Sequence, residues 1–197
     1  MTVYLPMSEK ACGLSVKSPQ DDSFILVNSS NSKGRQHYTI AHEIFHLYYD
    51  ENPFPHICEL NGSSPIEKTA NKFAAALLMP KDGVLQLSSA TAFKSNAFPL
   101  ALVLKMEQYF RVSRESMLYR LKHIGLISED RLQELLAVQV IHSAKEYGYD
   151  TSLYNPGNEY MAIGDYGEKA RILFDNGVIS EGHYLELLNM ISHERQD

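Results

Sequence analysis

The chain opens with short apolar runs divided by polar punctuation and then shifts to a helical rhythm. "TVYLPM", the stretch around "GLSVK", and "SFILVN" are rich in β-branched and aromatic residues and predict three strands. Asp21-Asp22-Ser23 stands between the last two and predicts a hairpin. After the polar loop "SSNSKG", Ile40, Ile44 and Leu47 recur at i, i+4 and i+7, which predicts a helix from about Arg35 to Asp50. "ENPFPHICELNGSS", broken by prolines and a glycine, reads as a loop. A second helix starts behind Ser64, with Pro65 in the first turn where its missing N–H costs nothing, and stops at Pro80. Ala70, Phe73, Ala74, Leu77 and Leu78 give it a broad apolar face.

Beyond the loop "SSATAFKSN" the pattern is mostly helical. Segments are predicted at about Leu100–Phe110, Arg114–Ile124 and Glu129–Tyr147. "YDTSLYNPGNEY" reads as a linker or surface loop, and two short helices follow near Asp165–Phe174 and Ser180–His193, joined by "DNG". The fold class is therefore α+β: a small N-terminal sheet packed on the first two helices, then a mostly α-helical C-terminal half. Three regions are expected, residues 1–96, 97–150 and 151–197, with the first boundary near Ser95–Pro99, where the strands cease.

Composition narrows the class. With 197 residues, 44% hydrophobic and 21% charged, the chain can bury a core and is not of the disordered type. No run approaches the roughly 18 apolar residues of a membrane span, and "MTVYLPMSEK" lacks the charged start and apolar core of a signal peptide. Two cysteines, Cys12 and Cys58, are too few for a disulfide scaffold, so a reducing, cytoplasmic setting is expected. The net charge of −6 is uneven. Ser128 to Asp197 carries five Lys and Arg against thirteen Asp and Glu, while Pro99 to Ile127 carries five against two. Any contact with DNA is confined to that middle stretch.

The candidate chemistry lies in "YTIAHEIFHLYYD", where His42, Glu43 and His46 stand in the order H-E-x-x-H. Residues at i and i+4 share one helix face, so two imidazoles there can reach one zinc ion at about 2.0–2.1 Å. Glu43, rotated by about 100°, is placed to serve as general base toward a water whose pKa the zinc lowers to about 7. The competing reading is two buried histidines hydrogen-bonded in a small core.

A catalytic zinc usually takes three protein ligands. Glu67 is the candidate third: it precedes Ala70, Asn71 and Ala74 by three, four and seven residues, on the edge of the buried stripe, where a carboxylate needs a partner. Its structural alternative is a capping box with Ser64. His56 and Cys58 are rival ligands on a proline-rich loop, and His37, Tyr38, Tyr48 and His56 are candidates to stabilise an oxyanion.

"GRQHYTIAHEIFHLYYD" followed by "IEKTANKFAAALLMP" resembles the ImmA/IrrE family of bacterial zinc metallopeptidases, over roughly Leu14 to Pro80. The resemblance implies a zincin-like peptidase domain with Zn2+ held by His42, His46 and Glu67 and with Glu43 as catalytic base. Many relatives carry Gly where this chain has Phe45, a change of packing rather than of ligand. "LVLKMEQYFRVSRESMLYRLKHIGLIS" resembles the helix-turn-helix-like region that often follows that domain. There Ser113 would cap a helix whose Arg114, Arg120 and Lys122 give it a basic surface. DNA binding is not the favoured role, because the acidic tail opposes close approach to phosphates. Packing of Met117, Leu118 and Leu121 is preferred. The implied activity is cleavage of a protein substrate, a helix-turn-helix repressor often encoded beside the peptidase on a mobile element. The alternatives are a non-catalytic regulator that binds DNA or a repressor, and a toxin–antitoxin component.

Overall fold

The structure, a computed structural model, describes residues 1–8, 10–18, 22–50, 58–59, 64–88 and 98–191. The three predicted strands form as β1 (Thr2–Leu5), β2 (Ala11–Lys17) and β3 (Ser23–Asn28). β2 and β3 pair antiparallel, Gly13 opposite Val27 and Lys17 opposite Ser23, as a hairpin requires. β1 runs parallel to β3, Thr2 opposite Ile25. Two further strands, β4 (Cys58–Glu59) and β5 (Ala162–Ile163), close the edges in the order β4-β2-β3-β1-β5. At two residues each they are too short to show an alternation in sequence.

Helix α1 (Lys33–Tyr49) lies on this sheet. Its predicted stripe of Ile40, Ile44 and Leu47 packs on Tyr4, Ile25 and Val27. The approach is close because Gly13 has no side chain: a Cβ there would stand 2.6 Å from both Leu26 O and Thr39 Cγ2. Helix α2 (Pro65–Leu78) packs beside α1, with Ala70 and Ala74, both fully buried, letting the backbones come near. α3 (Lys81–Ser88) follows at once, an element not anticipated. Pro80, read as a stop, also opens the next helix: its carbonyl accepts from Val84 N at 3.0 Å.

A second core joins the helices on either side of residues 89–97, which include the expected boundary and lie outside the described residues. Met79 and Val84 pack in one cluster with Leu102 and Met106 of α4 (Leu100–Phe110) and Leu118 and Leu121 of α5 (Arg114–His123). The expected helix Glu129–Tyr147 is two, α6 (Glu129–Leu136) and α7 (Val140–Glu146). Leu132 and Leu135 bury in the cluster, Ser143 and Ala144 bury elsewhere, and β-branched Val138 and Val140 favour the break between them.

Within this half Glu107, 0% exposed, pairs with Arg114. Tyr154 Oη donates to Glu107 Oε2 at 2.7 Å, and Arg114 Nη2 donates to Ser143 Oγ at 3.2 Å. Burial pushes the Glu107 carboxyl up, and Arg114 pulls it back. Burial and the neighbouring Glu107 push the Tyr154 phenol well up, so it stays a donor.

The expected linker at 149–160 is instead a strap. Leu153 is buried in a short 3-10 turn, Ser152–Tyr154. Lys33 N donates to Asn155 O at 3.0 Å, and the Gln36 amide exchanges bonds of 2.9 Å with Gly157 O and Asn158 Nδ2. The chain then enters β5 beside β1, before α8 (Tyr166–Asp175) and α9 (Glu181–Ile191). The architecture is α+β with a mostly helical C-terminal half. Among the described residues, no helix is long and apolar enough to cross a membrane.

Candidate metal centre

On α1, His42 and His46 face α2 while Ile40, Ile44 and Leu47 face the sheet, a division set by the helical repeat. Their imidazoles are 2% and 1% exposed. Glu67, in the first turn of α2, is 8% exposed and turns its carboxylate to the same point. His42 Nε2 lies 3.1 Å from His46 Nε2 and 3.1 Å from Glu67 Oε2, and His46 Nε2 lies 3.3 Å from Glu67 Oε1. Half of the expected capping box is present, since Glu67 N donates to Ser64 Oγ at 3.3 Å. The carboxylate itself is directed at the histidines.

The outer nitrogens are held as well. His42 Nδ1 is 3.0 Å from Asn71 Oδ1, and His46 Nδ1 is 2.9 Å from Asp50 Oδ2. Both partners are acceptors, so each Nδ1 carries a proton and donates it. Each Nε2 is then free of its proton in the neutral ring and presents a lone pair to the other and to Glu67. Four acceptor atoms at 3.1–3.3 Å, the two Nε2 and the two oxygens of Glu67, repel one another unless a proton or a metal cation is shared among them. A tetrahedral ion with bonds of about 2.0–2.1 Å sets its ligand atoms about 3.3 Å apart, so the spacing fits a metal. All three ligand atoms lie within 4.8 Å of one another.

Glu43 is fully buried, and Ser15 Oγ on β2 donates to its Oε2 at 2.7 Å. That bond ties the carboxylate to the sheet side of α1, one position on from His42. Ser15, Asn71 and Asp50 were not anticipated as site residues. For Ser15 and Asn71 the signal is tertiary, since packing brings them to Glu43 and His42, whereas Asp50 stands four residues after His46, an i+4 spacing that the sequence itself displays.

The remaining candidates are placed as follows. His37 Nδ1 bonds Arg111 O at 2.8 Å, and Tyr38 Oη donates to Asn71 O at 2.8 Å. Tyr48 is exposed. His56 and the side chain of Cys58 lie outside the described residues. Phe45 packs its ring on Phe73 and Tyr49, at centroid distances of 5.7 and 6.0 Å, as a packing residue should.

The basic surface expected on α5 is not formed by its arginines. Arg114 is 3% exposed and paired with Glu107, and Arg120 is 8% exposed with Nε donating to Met79 O at 2.9 Å. Lys122 pairs with Glu129.

A model of a peptidase family described as the IrrE N-terminal-like domain matches residues 1–122, a span that takes in the sheet strands β1–β4, the two helices that carry His42, His46 and Glu67, and nearly all of α5. No curated protein matches the chain.

Proposed function

We propose that this chain, which belongs to the IrrE N-terminal-like domain family, is a zinc-dependent endopeptidase acting on a protein substrate in a reducing, cytoplasmic setting. The observation that carries the reading is the convergence of His42, His46 and Glu67 at 3.1–3.3 Å, with both outer imidazole nitrogens committed to acceptors. Two nitrogens and a carboxylate oxygen are a common catalytic zinc set. Zinc, when bound there, supplies a Lewis acid that polarises a carbonyl and acidifies water.

The rest is the work of the chain. His42, His46 and Glu67 hold the ion, Asn71 and Asp50 fix the ring orientations, and Ser15 sets one oxygen of Glu43. Glu43 takes a proton from the attacking water and returns it to the leaving amine. A carboxylate next to the first ligand has no use in a purely structural site, which favours the enzyme over a non-catalytic regulator.

For the substrate we propose a helix-turn-helix repressor, on the resemblance of the two motifs. α5 we read as a packing helix rather than a DNA reader, because Arg114 is buried against Glu107 and Arg120 is 8% exposed with its Nε on Met79 O. The test is co-expression with the repressor encoded nearest to the gene. The intact mass of the repressor should fall to two fragments with the wild-type chain and stay whole with Glu43→Gln. Equal cleavage by both would contradict the mechanism, and an uncut repressor in both would contradict the substrate.

A further inference from the structure

Beside the metal-facing residues, α1, α2 and the exposed side of α5 enclose a cavity of about 610 Å³ that the chemistry above does not use. Its wall on the metal side is Tyr38 and Asn71, the residue that holds His42 Nδ1. The rest of its lining carries four fixed cations, Arg35, Lys72, Arg120 and Lys122, with His123, against the single carboxylate of Glu115. This is unusual for a chain whose net charge is −6. Arg120 and Lys122 are partly engaged, by Met79 O and Glu129. Among the described residues, no carboxylate pairs with Arg35 or Lys72.

We infer that this cavity is the subsite of the peptidase that receives an acidic side chain of the protein substrate. The inference rests on the peptidase reading and adds a sequence preference to it. Its volume lies within the range of ligand pockets, room for an acidic side chain with its flanking residues. Two cations with no carboxylate partner among the described residues, facing a substrate carboxylate in a concave site, give charge-assisted recognition, and the surrounding negative charge of the protein selects against indiscriminate anion binding.

The register follows from helix geometry. Arg35 precedes His42 by seven residues, about 10 Å along the α1 axis at roughly 1.5 Å per residue. An extended peptide advances about 3.3 Å per residue. A substrate peptide lying along α1 would place its acidic residue about three positions from the bond that is cut.

The test uses the full-length Glu43→Gln chain loaded with zinc, so that nothing is consumed. Fluorescence anisotropy is read with a labelled glutamate-rich octapeptide, its lysine-rich counterpart, and a single-stranded oligonucleotide of equal charge. The glutamate peptide should bind, more weakly as salt rises, and at least tenfold more weakly when Arg35→Gln and Lys72→Gln are combined. Arg35→Lys should retain binding. Thermal melting and zinc content of the double variant, unchanged, show that its fold is intact.

No preference for the glutamate peptide, or preference for the oligonucleotide, overturns the inference. So does binding indifferent to the double variant. A wild-type chain that cuts its substrate with no acidic residue near the third position overturns the subsite and leaves the peptidase. A chain that binds the peptide yet cuts nothing overturns both.

Discussion

Glu67 decides between a metal site and a histidine cluster, because its carboxylate, reaching from α2, meets the inner nitrogens of both imidazoles of α1. As a capping residue alone, its replacement by glutamine would cost at most about 1–2 kcal/mol and leave metal binding intact. As a ligand, Glu67→Gln is expected to lower zinc occupancy sharply, measured by elemental analysis after dialysis against buffer. Asn71 acts one step further out. Asn71→Ala removes the acceptor that holds His42 Nδ1 at 3.0 Å and is expected to weaken zinc affinity by about 10- to 100-fold, read by competition with a chromophoric chelator. His42, Glu43 and His46 were legible because the helical repeat alone sets their relation. Glu67 was legible as a carboxylate on an apolar stripe. Asn71 and Ser15 were not, since nothing local distinguishes them: Ser15 meets Glu43 across 28 positions and Asn71 meets His42 across 29. Asp50, at i+4 from His46, follows from the helical repeat and was missed.

At the scale of elements, the strands and helices with clear periodicity were readable to within a few residues. What escaped was what packing decides. β4 and β5 exist because neighbouring strands offer them backbone partners, Glu59 opposite Ala11 and Ile163 opposite Thr2. α5 was expected to display its arginines because charges are normally exposed. Its Arg114 is instead buried against Glu107, seven positions back on α4, with Ser143 and Tyr154 completing the network. Glu107→Ala leaves that guanidinium without its counter-charge and is expected to destabilise the fold by about 3–5 kcal/mol in urea unfolding. A loss below about 1 kcal/mol would mean that the pair is dispensable. Zinc binding should survive the substitution in the folded protein, because the network lies outside the metal centre.

Across the whole molecule, the centre is assembled from distant parts of the chain and held by contacts that cross them. The α4–α5 turn seats on α1 at Gly34, where a Cβ would stand 2.7 Å from Ser113 N and 2.8 Å from Val112 C. The strap from residue 149 onward returns to Lys33 and Gln36 and ends in the sheet. These contacts brace the N-terminal end of α1, the helix that carries both histidines and Glu43. The α+β class was visible in the order of strands and helices. The strap was not, because its anchors are backbone carbonyls that any residue can offer, and Asn158 takes its place at a φ of 64° that few non-glycine residues adopt.

The central claim is that α1 and α2 together bind one zinc ion. Elemental analysis of wild type beside His46→Ala, both purified without chelators, tests it most directly. The account predicts close to one zinc per wild-type chain and its loss in the variant, with both proteins folded by circular dichroism. A wild-type chain that takes up no zinc, even when the ion is supplied in excess, would contradict it, and the peptidase would fall with the metal.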